Sequence, residues 1–140
     1  MRALFKYGVW LYERDKYVEA GSLFNQLLKL NPNDNQGARY LAIASFTHQE
    51  NFDKALEVLD EYAAGSEYDA VYLFLSWYFE ASSTEGASEN SARMFEEADA
   101  VNPFVEAIID SNSPREPFPR SLDLIPGTME EAMFIWTLIK

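Results

Sequence analysis

The sequence has no cysteine and a single histidine, His48. Disulfide frameworks and thiolate metal sites are therefore excluded. A zinc site, which needs several His or Cys ligands, is not expected either. Positive charge is scarce: 11 Lys and Arg stand against 23 Asp and Glu, a net charge of −12. Nucleic acid and anionic membranes call for clustered cations, so neither is expected as a partner. The acidity permits a basic partner and by itself favours solubility. Apolar runs are short and interrupted, which leaves no candidate for a membrane-spanning helix. The opening MRALFKYGVWLYERDKY lacks a small-residue cleavage site, and Lys6 breaks its apolar run. It is a poor signal peptide, and a cytoplasmic location is the default expectation.

What the chain does have is apolar content. Hydrophobic residues make up 48% and aromatics 15%, enough to order a chain and build a core. The apolar residues recur with helical spacing. Leu4, Tyr7, Gly8 and Leu11 share one helix face, as do Ala20, Phe24, Leu27, Leu28 and Leu30. Only the polar RDKY lies between the two runs, so the two helices are expected to be antiparallel. Asn31-Pro32 ends the second helix, because proline lacks an N–H and biases Asn31 away from the helical region. Asn102-Pro103 repeats the device. Helix starts are expected at Asn33 with Gln36, Ser66 with Asp69 and Thr128 with Glu131, the last being a strict capping box.

The spacing repeats. Ala20, Phe24, Leu27 and Pro32 have the same gaps as Ser91, Phe95, Ala98 and Pro103, and Ala55, Leu59 and Tyr62 repeat the first two gaps. The starts at 20, 55 and 91 give a period of 35 and then 36, and a period near 34 with two helices per repeat is the tetratricopeptide signature. The first repeat resembles that family closely, with Gly8, Ala20, Phe24, Leu27 and Pro32 at its small, bulky and stop positions. The resemblance implies close helix crossing at Gly8 and Ala20, and a Phe24 that fills the space between repeats. The second repeat departs by one extra residue, assigned to its inner turn. The third departs further, with the long polar SSTEGASE (82–89) and Ser76 as the nearest equivalent of Gly8. The order NPNDNQGARYLA, NFDKALEVLDEY, VNPFVEAIID and PGTMEEAMFIW also resembles the tetratricopeptide-type domain of the suppressor-of-tumorigenicity family. That likeness implies a protein-interaction domain with no known reaction.

The expected fold is thus all-α: one TPR-like domain over 1–140, an α-solenoid of about three antiparallel helix pairs. The repeats are about 1–34, 35–67 and 68–103. A proline-rich connector at 112–127, anchored by Phe118, Leu122 and Leu124, leads to a closing helix at 128–140. About seven helices and no sheet are expected.

No phosphate-cradling loop, nucleophile elbow or histidine-based triad is present. Asn31, Asn33 and Asn35 alternate like the start of a calcium loop. Gln36 stands where that loop needs Gly, however, and Ala42 where it needs a bidentate Glu. No cofactor and no catalysis is expected. Carried over from the family, the concave face puts Arg2, Phe5, Val9, Tyr12 and Glu13 of the first repeat at contact positions. In the second repeat these are Gln36, Arg39, Ile43, Phe46 and Thr47. The lining is aromatic and aliphatic, which suits an apolar helix or extended peptide. The leading expectation is a non-enzymatic adaptor for a protein or peptide segment. The alternatives are a self-associating structural module and an acidic mimic that occupies a basic nucleic-acid-binding surface. The first helix is apolar nearly all round, so its outer face is expected to be covered by a symmetric dimer or an upstream domain.

Overall fold

The periodic apolar segments form helices. The computed structural model describes residues 2–34, 36–84, 89–115, 118 and 124–140, and no strand occurs among them. The helices are α1 Arg2–Glu13, α2 Tyr17–Leu30, α3 Ala38–His48, α4 Phe52–Glu61, α5 Ala70–Ser83, α6 Glu89–Val101, α7 Phe104–Ser111 and α8 Met129–Ile139. The chain is all-α, and none of these helices is long and apolar enough to cross a membrane. The helix beyond the expected seven is α7, which starts directly after Pro103. The chain groups into two compact units, Met1–Tyr62 and Ala63–Lys140.

In the first unit, α1 and α2 are joined by a tight turn. The Lys16 N–H donates to the Leu11 carbonyl at 3.0 Å and the Asp15 N–H to that of Tyr12 at 3.0 Å. The turn between α3 and α4 makes the same bonds 35 residues later: Asn51 to Phe46 at 2.8 Å, and Glu50 to Thr47 at 3.0 Å. Asp15 and Glu50 hold nearly the same left-handed φ, 59° and 58°. Both are Schellman-type endings that satisfy the last carbonyls of a helix. The inner turn of the second repeat therefore contains no extra residue. The additional residue falls in the 31–37 connection ahead of α3.

Small residues set the helix crossings. A Cβ built on Gly8 would lie 2.7 Å and 2.8 Å from the Phe24 ring, so α1 rests directly on that ring. Phe24 thus packs within its own repeat, edge-on to Phe5 at 5.6 Å between ring centroids. Between the first two repeats, the Phe46 ring lies 2.9 Å from a Cβ built on Gly21 of α2. Ala20 and Ala55, the small positions one period apart, are both fully buried.

The start of α3 is capped by Asp34 instead of Asn33 and Gln36. Its buried carboxylate accepts the N–H groups of Ala38 at 2.7 Å and Arg39 at 2.9 Å. Gly37, at φ 80°, turns the chain into the helix. At the other end of this connection, the Asn31 N–H donates to Leu27 and closes α2.

In the second unit, α5 packs on α6 and α8, and α7 packs on α8. Its apolar interior includes Val71, Phe74, Leu75, Ala98, Val105, Ile108, Ile135 and Leu138. Phe95 of α6 presents its ring edge-on to Phe74 at 5.6 Å and to Trp77 at 5.0 Å. Asp69, and not Ser66, caps α5, accepting from the N–H groups of Val71 and Tyr72. At α8 half of the expected capping box is present: Thr128 Oγ1 accepts the Glu131 N–H at 3.3 Å, while the Glu131 side chain bonds elsewhere than the Thr128 N–H. The Glu131 carboxylate, buried, takes the Gly127 N–H at 3.0 Å and the Asn102 amide at 2.9 Å. Asn102, fully buried, also donates to the Thr128 carbonyl at 3.0 Å and accepts the Phe104 N–H at 3.1 Å. One asparagine therefore ends α6, starts α7 and holds the beginning of α8.

Part of the connector follows the expectation. The Phe118 ring lies 5.8 Å from Phe134, Leu124 is half-buried, and Trp136 Nε1 donates to the Ser113 carbonyl at 2.7 Å. Leu122 and residues 85–88 of SSTEGASE lie outside the described residues, as does Asn35.

Candidate protein-binding surface

The contact positions on α1 share a stripe, because they recur at three- and four-residue spacing. Arg2 and Glu13 are exposed at its ends, and Phe5 and Val9 are half-buried between them. Tyr12 departs from the expectation. It is fully buried, with its ring edge-on to Tyr17 at 5.2 Å and to His48 at 6.0 Å. His48 itself stacks on Tyr17 at 4.4 Å. The lone histidine is thus an aromatic packing partner at the end of α3.

In the second repeat the structure does not bring the expected residues to a common accessible stripe. Ile43, Phe46 and Thr47 are buried, and Gln36 is half-buried in the turn before α3. The matching inner turns explain this, since equivalent residues of the first two hairpins are 35 apart. The stripe Phe5, Val9, Tyr12 and Glu13 then corresponds to Tyr40, Ala44, Thr47 and His48, one residue beyond the expected set. Of these, Tyr40 and His48 are half-buried, while Ala44 and Thr47 are buried. A sequence signal was present: ARYLAIASFTH has few strongly polar residues on any side, and such a helix is buried on most sides.

Arg39 is committed to the fold. Its Nη1 lies 2.9 Å from Asp34 Oδ2, and its Nη2 donates to the Tyr40 hydroxyl at 2.8 Å. The guanidinium carbon sits 4.4 Å from the Tyr40 ring centroid and 5.6 Å from that of Tyr62. Tyr62 in turn donates to the Pro32 carbonyl at 3.1 Å. Burial raises the Tyr62 phenol above its ordinary pKa, helped by the Glu61 and Asp34 carboxylates and opposed by Arg39. This cluster joins the start of α3 to the end of α4, and Arg39 is held by it rather than presented to a peptide carboxylate.

The opposite face of α1 carries large exposed side chains. Leu4, Tyr7 and Trp10 are 45%, 54% and 42% exposed. Tyr7 and Trp10 stack at 5.9 Å, and the Arg14 guanidinium lies 4.0 Å from the Trp10 ring centroid. Trp10 is therefore not buried within its own chain.

Among the described residues, no group of three or more His, Asp or Glu is placed to hold a metal ion. The sequence matches no family model, and neither a curated protein nor a solved structure is significantly similar to it.

Proposed function

We propose that the chain is a tetratricopeptide-like α-solenoid of antiparallel helix pairs that serves as a non-enzymatic protein-interaction adaptor. The observation that carries this reading is the repeat of backbone geometry at a fixed interval. The turns at 14–16 and 49–51 make the same hydrogen bonds with the same left-handed residue. The small positions Ala20, Ala55 and Ser91 are all buried, and contacts run between α1 and α2, α3 and α4, and α5 and α6. Helical repeats stack because no single pair can bury its apolar face alone. Their exposed first-helix stripes are suited to grip a peptide, which agrees with the resemblance to the suppressor-of-tumorigenicity type.

The receiving stripe is Arg2, Phe5, Val9 and Glu13, apolar at its middle and charged at its ends. It suits a short amphipathic helix or an extended apolar peptide. Panning a displayed library of such peptides against the chain tests this. Enriched peptides should lose binding to Val9→Glu, keep binding to Tyr7→Glu on the opposite face, and leave helicity by circular dichroism unchanged. No enrichment, or peptides indifferent to Val9→Glu, would refute the assignment.

A further inference from the structure

Charge is distributed unevenly along this acidic chain. Residues 1–18 carry Arg2, Lys6, Arg14 and Lys16 against Glu13 and Asp15, a net +2, and the remaining residues carry −14. All four cations are exposed. Lys6, Arg14 and Lys16 flank the apolar face of α1 formed by Leu4, Tyr7 and Trp10, with Arg14 and Lys16 both over the Trp10 ring, at 4.0 Å and 5.8 Å, whereas Arg2 belongs to the other stripe. Of the nearby acids, Asp15 accepts the Tyr17 hydroxyl at 2.9 Å, and Glu13 belongs to the other stripe.

The first unit also presents the complementary surface. On α4, Ala55, Val58 and Leu59 are buried, which turns Asp53, Leu56, Glu57 and Asp60 outward along one face. All four are exposed, Leu56 by 46%. The base on this helix, Lys54, lies over the Phe46 ring at 5.8 Å. An exposed leucine among three carboxylates is thus set against exposed aromatics among cations. Within the unit, α1 touches α2 and α3, whereas α4 touches α3 and not α1. Within the first unit the two faces therefore do not meet each other.

We propose that the cationic, aromatic face of α1 docks on the acidic α4 face of a second copy of this chain. The contact is head-to-tail. A symmetric α1–α1 dimer would bring Lys6 and Arg14 of both copies together, and like charges across an interface oppose association. The head-to-tail pairing instead places opposite charges around an apolar centre. A heterologous contact of this kind continues from copy to copy unless its rotation closes a ring. The surface is distinct from the Arg2–Glu13 stripe, so it stands or falls independently of peptide binding.

Sedimentation velocity of the full chain over a concentration series at low salt tests the proposal. The wild type should show a mass that rises with concentration and falls with added salt. Lys6→Glu/Arg14→Glu disables the α1 face, and Glu57→Lys/Asp60→Lys disables the α4 face. Each substitution site is exposed, and far-ultraviolet circular dichroism checks the fold. Either variant alone should remain monomeric, with association weakened by about tenfold or more. An equimolar mixture of the two should form a species of two chains and nothing larger, because each complex has one working interface and two disabled ends. A wild type that stays monomeric throughout overturns the proposal, as does a mixture that fails to pair. A two-chain wild type unaffected by Glu57→Lys/Asp60→Lys would also overturn it, in favour of the symmetric dimer.

Discussion

Replacing Gly8 with alanine tests the crossing on which the first hairpin is built. The added methyl would sit 2.7 Å and 2.8 Å from two carbons of the Phe24 ring and 3.3 Å from a third. Carbon atoms prefer separations of about 3.5–4.0 Å, so the ring or the helix must retreat by roughly 1 Å. The ring tip is the part that could yield, but Phe24 is completely buried and Phe5 lies edge-on against it. Overpacking of this kind costs about 1–3 kcal/mol. Alanine returns about 0.5–1 kcal/mol through its better helix propensity. The net expectation is a loss of roughly 1–2 kcal/mol, or about 4 °C or more in Tm for a cooperative unit of this size. Chemical denaturation and thermal melts of Gly8→Ala measure it. The Gly8→Ala/Phe24→Leu double variant should be less destabilised than the two single variants summed, because the smaller side chain leaves room for the methyl. A Gly8→Ala protein as stable as the wild type, or more stable, would show that propensity alone governs the site and that the close approach is absent.

Ala20→Leu should destabilise by roughly 1–3 kcal/mol in a thermal melt, since Ala20 is fully buried and added carbons overpack a helix crossing. Asp34→Ala should cost about 1–2 kcal/mol in denaturant titrations, because Ala38 and Arg39 lose their N–H acceptor, and Asp34→Asn should recover part of it. Glu131→Ala should cost about 1–3 kcal/mol, leaving the buried Asn102 amide short of an acceptor. Tyr62 has a raised pKa in the folded state, so it contributes stability below the unfolded value of about 10. That contribution is lost as pH rises through the folded pKa. Wild-type stability should therefore fall above about pH 10 more steeply than that of Tyr62→Phe.

Periodicity made the helices legible because burying one face requires apolar residues at fixed intervals, and that demand is written into the sequence. The connections were less legible because several polar side chains compete for each free N–H. Asn33 and Asp34 are both acceptable caps. Asp34 prevails because its left-handed backbone, at φ 50°, and Gly37 bring its carboxylate under two amides and beside Arg39. Asn-Pro was read as a stop, and α2 and α6 both end immediately before such a pair. Pro103 in addition leads straight into α7, since its fixed φ of −73° is already helical. What separates the two is the environment of the preceding asparagine: Asn102 is buried against Glu131, a contact 29 residues away that no local pattern displays. The candidate site was legible on α1, where Phe5 and Val9 remain partly accessible. It was misplaced on α3 by the assignment of one residue to the wrong turn, which put Arg39, Ile43, Phe46 and Thr47 in place of Tyr40, Ala44, Thr47 and His48.

The matched turns give the molecule a pair of internal reporters. The Lys16 and Asn51 amides are each donated to a carbonyl five residues back, at 3.0 Å and 2.8 Å, so each is shielded from hydrogen exchange only while its own hairpin is closed. Local openings follow cooperative blocks of structure, and a repeat protein divides into such blocks where the coupling between neighbours is weak. Here the coupling is strong. The most extensive helix contact in the first unit joins α2 to α3, across the boundary between hairpins, with Phe46 of one hairpin seated on Gly21 of the other. Gln49 adds a bond from its Nε2 to the Tyr17 carbonyl at 3.1 Å. The first two hairpins should consequently open as one block, and hydrogen exchange of these two amides should show a common protection factor rather than stepwise opening.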